Sequence, residues 1–162
     1  IAPIYIEDDK NMKPILAKWG FPKWDGKGVI INARAETIHE KAMFKRLVPS
    51  NRCIVPTSYY FEWKQETFGK NKYRINNPNS NTYMAGLYNV VTNEDEKQLS
   101  LFDTSMDIYF TIITRSANSS ISHIHKRMPL IFNDDEMQAW LGGQDAKELI
   151  NADHTMFCEV VK

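Results

Sequence analysis

Hydrophobic punctuation is the feature that most constrains this chain. Its apolar runs are a few residues long, and turn residues or prolines break each of them. Runs such as Val29-Ile30-Ile31 and Cys53-Ile54-Val55 are rich in β-branched residues and read as short strands. On this pattern strands are expected over residues 15–19, 29–31, 53–64, 72–75, 82–91, 108–114, 130–132 and 156–161. Pro56 suits a bulge or an edge, because proline cannot donate to a ladder. Ile38, Ala42, Met43 and Leu47 fall near helical spacing, so a helix is expected over residues 36–47, ended by Pro49. Asn133 or Asp134 can cap a helix that runs to Leu141 and stops at Gly142-Gly143. Helical turns are expected at 118–124 and 145–150, and residues 92–107 read as a polar, acidic, mobile hairpin loop. Strands and helices do not alternate as βαβα, which argues against a doubly wound sheet. The expected class is α+β: a curled, largely antiparallel, barrel-like β-sheet with a few short helices.

A chain of 162 residues fits one domain spanning 1–162. Hydrophobic residues make up 43% and charged residues 25%, which excludes a wholly disordered or fibrous chain. No apolar run approaches the ~20 residues that span a bilayer as a helix, so no membrane partner is expected. The net charge of zero hides an asymmetry. Residues 1–81 carry 14 Lys and Arg against 8 Asp and Glu, whereas residues 82–162 carry 6 against 12. That division points either to a polyanion partner for the basic half or to charges that mix in one fold. The two cysteines, Cys53 and Cys158, form no CxxC and no disulfide framework, which fits a reducing compartment.

Polar residues interrupt the apolar pattern at Asn32-Ala33-Arg34, Glu62, Thr114-Arg115 and His125. Glu62 lies between Phe61 and Trp63. A carboxylate there is either an acid/base whose pKa burial raises, or a structural partner for an arginine such as Arg34. His125 stands beside Lys126 and Arg127, which disfavours its cationic form and leaves a neutral imidazole able to accept a proton. His123-x-His125 finds no third ligand at a fixed spacing, so no metal ion and no cofactor is expected. Trp19, Trp24, Tyr59, Tyr60, Phe61 and Trp63 are interleaved with lysines and arginines, a composition that suits stacked bases and phosphates or, equally, core aromatics with a basic rim.

These interruptions resemble the SRAP family, the SOS response-associated peptidase domain whose members process abasic sites in DNA. Seven stretches carry the likeness, in family order up to about residue 141. They begin Lys18-Trp19-Gly20-Phe21-Pro22-Lys23-Trp24, Ile31-Asn32-Ala33-Arg34-Ala35-Glu36-Thr37 and Arg52-Cys53-Ile54-Val55-Pro56. Tyr60-Phe61-Glu62-Trp63-Lys64, Met84-Ala85-Gly86-Leu87-Tyr88, Thr111-Ile112-Ile113-Thr114 and Ile124-His125-Lys126-Arg127-Met128-Pro129 follow.

The resemblance implies a curled sheet with a positive groove for single-stranded DNA. It implies an N-terminal cysteine whose amine forms a Schiff base with the abasic aldehyde and whose thiol closes a thiazolidine, giving a DNA–protein crosslink. Asn32, Glu62 and His125 take the catalytic positions by this resemblance, Arg34 and Arg127 the phosphate ligands, and Trp19 a base-stacking platform. The family's N-terminal Cys-Gly-Arg segment has no counterpart in this sequence, so the nucleophile is expected upstream of Ile1. Any peptidase activity would be self-processing that exposes that cysteine. A cytoplasmic, DNA-associated monomer is the expectation. The alternatives are a non-catalytic single-stranded DNA module and a protease acting in trans.

Overall fold

The computed structural model describes residues 1–78, 81–92 and 106–161. The chain opens with an antiparallel hairpin, β1 (Ala2–Asp8) and β2 (Asn11–Trp19), followed by the short β3 (Phe21–Pro22), β4 (Val29–Ile30) and β5 (Asn32–Arg34). After a 3₁₀ turn and one helical turn, α1 (Ala42–Lys45), come β6 (Arg52–Thr57), β7 (Tyr60–Glu66), β8 (Gly69–Asn76) and β9 (Thr82–Thr92). The C-terminal part holds β10 (Met106–Ser116), β11 (Arg127–Pro129), β12 (Ile131–Phe132), α2 (Asp134–Leu141), α3 (Ala146–Leu149) and β13 (Phe157–Val161).

These strands make the α+β architecture expected above. In the main sheet the paired path runs β10–β2–β1–β6–β9, and β9 pairs with β10 again, so the sheet curls back on its own start. Among the described residues its pairings are antiparallel except where β10 meets β2 and β5. β7, β8 and β13 form a separate three-stranded antiparallel sheet.

Period-two alternation sorts the apolar residues onto two faces. Ile4, Ala17, Cys53, Met84, Phe110 and Ile112 pack together on one side. Ala33, Ile54, Ala85, Leu87 and Ile113 face the other, where Met137 and Trp140 of α2 and Leu149 of α3 cover them. The fully buried Trp140 donates its indole N–H to the Cys53 carbonyl at 3.2 Å. Arg52, itself buried, stacks on that indole at 4.6 Å and donates to the carbonyls of Val48, Trp140 and Gln144 at 2.6, 3.2 and 2.5 Å. Helix C-terminal carbonyls lack intrahelical partners, so the end of α2 is a natural seat for this cation. At its other end, Asn133 and Glu136 form a reciprocal capping box, each bond 2.9 Å long.

The helix expected over 36–47 is the main departure. Lys41 has extended backbone angles (φ −70°, ψ 120°), which separates the 3₁₀ turn at Ala35–Thr37 from the single turn α1. Residues 119–124 are successive turns, with Ser122 and His125 amides closing on Asn118 and Ile121 carbonyls. Pro56 lies beyond the Tyr5–Ile54 pairing of β1 with β6, where β6 keeps β9 on one side only. Most of the expected acidic hairpin loop lies outside the described residues, and its ends belong to β9 and β10.

Gly86 marks the tightest approach in the curl. A Cβ there would stand 2.8 Å from Cys53 Sγ and 2.9 Å from the Thr111 carbonyl oxygen. Gly86→Ala is expected to lower stability by about 1–3 kcal/mol, the usual cost of overpacking. Urea unfolding of the two proteins measures this, and an unchanged midpoint would show that the ladder yields there freely.

Candidate functional site

Strand β10 sets one wall of the site. In the ladder Phe110 lies opposite Trp19, Ile112 opposite Asn32 and Thr114 opposite Arg34. On its other edge Thr114 meets Pro129 and Ser116 meets Arg127. Residues two apart on a strand share a face and are spaced by about 6.7 Å. Trp19, Asn32, Arg34 and Arg127 are thereby spread along one face. Ala33, fully buried between Asn32 and Arg34, turns both of its neighbours outward. Trp19 is 51% exposed and donates its indole N–H to the Ile31 carbonyl at 3.0 Å. Its ring lies nearly parallel to Phe110, at 10° and 6.4 Å between centroids. One face is thus supported while much of the ring stays open.

The facing wall comes from β7 and from the loop before β11. Glu62 stands between Phe61, which is half-buried and also lines the cleft, and the exposed Trp63. Its Oε1 lies 3.6 Å from His125 Nδ1, and its Oε2 accepts from the Trp63 amide at 3.3 Å. His125 Nδ1 also lies 2.9 Å from the Arg127 carbonyl oxygen and 3.2 Å from the Arg127 amide. Nδ1 can thus accept from the Arg127 amide or, in the other tautomer, donate to the Arg127 carbonyl or the Glu62 carboxylate. The two walls enclose a cleft of about 560 Å³. Trp19, Asn32, Arg34, Glu62, His125 and Arg127 all line it. The arginine partner considered for Glu62 is not what the structure places beside it: the neighbour is His125.

The two arginines differ in electrostatics. Arg127 Nη1 and Nη2 donate to the two carboxylate oxygens of Glu36 at 2.6 and 2.9 Å, and Nη2 also donates to the Thr114 carbonyl at 2.6 Å. This fork holds the Glu36 carboxyl down at about 2. A lowered folded-state pKa means the pair is complete above the ordinary carboxylate range and is lost only as pH falls toward 2. Arg34 is exposed and makes no hydrogen bond or ion pair among the described residues. The Asn32 amide is likewise unengaged among them. Tyr60, on the Glu62 strand, also lines the cleft; burial pushes its phenol up, so it stays neutral.

Sequence reasoning missed Glu36, which holds the cleft residue Arg127 from outside the lining. It is 91 residues from Arg127, and nothing in either local pattern announces the pair. The aromatic and basic interleaving separates in space. Lys72 sits 3.7 Å over Phe61, and Arg74 sits 4.6 Å over Tyr59, while Trp24 is 96% exposed. Charges of the basic and acidic halves also meet, as in Lys18–Asp107 at 2.7 Å and Arg74–Glu159 at 3.2 Å.

Comparison with known proteins gives the same picture of kinship. The abasic site processing protein YoqW of Bacillus subtilis is 35% identical over 143 residues, 84% of this chain and 60% of that protein. The abasic site processing protein YoaM of the same organism is 36% identical over 143 residues, with the same shares. The chain thus spans about 60% of the length of these curated relatives. A crystal structure of a protein from Bacteroides thetaiotaomicron superposes with a TM-score of 0.81 at 30% identity, over 99% of this chain and 73% of that one. The family model for SOS response associated peptidase (SRAP) matches residues 1–159. With that match running nearly end to end, the chain belongs to the SRAP family.

Proposed function

We propose that the cleft binds single-stranded DNA at an abasic site and serves its covalent capture by an N-terminal cysteine supplied from upstream of Ile1. The observation that carries this reading is convergence. Six residues from four separated segments line one cleft: Asn32, Arg34, Glu62 and His125, which interrupt apolar patterns, and Trp19 and Arg127, which the family resemblance picks out. The relatives' names, abasic site processing proteins, support the substrate class. Ala2 pairs with Ala17, two residues from Trp19, so residues preceding Ile1 would enter at the cleft end of the sheet.

In this reading Arg34, the uncompensated cation, holds a phosphate, and a base rests on the open part of Trp19. Asn32 orients the attacking N-terminal residue by hydrogen bonds. Its amine adds to the aldehyde and loses water to form the Schiff base. The thiol then adds to the imine carbon, its proton passing to the ring nitrogen. Glu62 donates and accepts the protons these steps move, and His125 at 3.6 Å from it steadies the sugar hydroxyl.

Three outcomes are expected. Arg34→Ala lowers the log–log salt slope for single-stranded DNA by about 0.7, the weight of one phosphate contact; a salt titration with an unchanged slope removes Arg34 from the interface. Trp19→Ala weakens binding by about 1–3 kcal/mol, the value of one stacked base. A normal titration by the folded variant excludes the stack. In the protein carrying the N-terminal cysteine, Glu62→Gln slows crosslinking to an abasic oligonucleotide by about 10²–10⁴-fold. Quench-flow on folded protein reads this. Wild-type rates in the variant mean that Glu62 is structural, and absence of any crosslink in the wild type leaves a binding module.

A further inference from the structure

We infer that Glu36 is a positioning residue for DNA binding: its carboxylate fixes the Arg127 guanidinium so that its remaining Nη1 donor meets a phosphate. The inference rests on the DNA reading above and assigns a role to a residue outside the cleft lining.

Guanidinium has five donors in a rigid plane. Glu36 takes one from Nη1 and one from Nη2, and Thr114 takes the other Nη2 proton through its carbonyl. The Thr114 hydroxyl lies 3.3 Å from the same nitrogen. The Nε–H is buried, with no partner among the described residues, which leaves one Nη1 proton for a ligand. A flexible side chain is thereby reduced to one orientation before any ligand arrives, which lowers the entropy lost on binding. Glu36 is itself held by Ser116 Oγ at 3.4 Å. It lies two residues after Arg34, and Arg127 lies two residues after His125, so the fork ties the β5 end of the cleft to the loop carrying His125. The Arg127 amide and carbonyl contact His125 Nδ1, so the fork also sets that ring's neighbours.

A carboxylate beside a polyanion site has an opposite effect by charge alone. Removing it should strengthen DNA binding if Glu36 were only a nearby anion. The sign of the change therefore separates the two roles. The test is a salt titration of this chain with a single-stranded oligonucleotide carrying a tetrahydrofuran abasic analogue, comparing wild type, Glu36→Gln, Glu36→Asp and Arg127→Lys. Positioning predicts that Glu36→Gln binds about tenfold more weakly, the worth of one charge-assisted hydrogen bond. Its salt slope should fall by about 0.7 as one phosphate contact is lost. Glu36→Asp should recover part of the affinity, and Arg127→Lys, which keeps the charge but not the fork, should match Glu36→Gln. Thermal melts establish that each variant is folded, and if Glu36→Gln does not fold, Arg127→Lys alone decides by the same measure. Equal or tighter binding by the folded Glu36→Gln, or by Arg127→Lys in its place, overturns the inference while leaving the DNA reading intact. Failure of the wild type to bind the oligonucleotide overturns both.

Discussion

The ladder around β10 is the constraint on which the rest depends. This strand pairs with β9, β2, β5 and β11, so its register fixes where four other segments lie. One of its faces sends Ile113 into the core beneath α2 and α3. The other carries Phe110, Ile112 and Thr114, and their ladder partners are Trp19, Asn32 and Arg34. A one-residue slip would exchange these faces and put the amide and the guanidinium against Leu87 and Trp140. The same burial that stabilises the sheet therefore aims the site.

The second wall is only partly tied to that ladder, through β11, and the cleft exists because the two walls meet. Glu62 arrives from the three-stranded sheet and His125 from a run of turns, and they lie 3.6 Å apart within the second wall. The charge in the cleft is unequal. Arg127 is neutralised by Glu36 and held by Thr114, whereas Arg34 is open. One cation is thus preorganised, and the other has no side-chain partner among the described residues. That combination suits a chain-like polyanion whose backbone must be fixed at one point and followed at another.

Much of this was legible in the sequence. Short β-branched runs marked many of the strands, though not β1 or β3, and the stretch 53–64 divides into β6 and β7; polar residues at Asn32, Arg34, Glu62 and His125 stood out because they broke apolar patterns where burial would otherwise be expected. The helix over 36–47 was misread for a physical reason. Ile38 and Leu47 are buried as expected, but Ala42 is exposed and Phe44 takes a core place instead; Thr37 and Ile38 are β-branched and Lys41 is extended, so turns rather than one helix deliver the core residues. The Glu36–Arg127 fork was invisible because it joins positions 91 apart, and only the closing of β10 onto β5 and β11 brings them together. The asymmetric charge of the two halves left open a polyanion partner or charges that mix in one fold; Lys18–Asp107 and Arg74–Glu159 show mixing, and Arg34 is a surplus that composition did not single out.

The central claim is that nucleic acid occupies the cleft between β10 and the Glu62–His125 wall. Amide and indole NMR shifts of the chain, titrated with a single-stranded oligonucleotide containing an abasic analogue, test it most directly. The account predicts that saturable changes cluster at the Trp19 indole, β5, residues 60–62 and residues 125–129. Changes confined to the outer face of the β7–β8–β13 sheet, with the cleft residues unmoved, would contradict it.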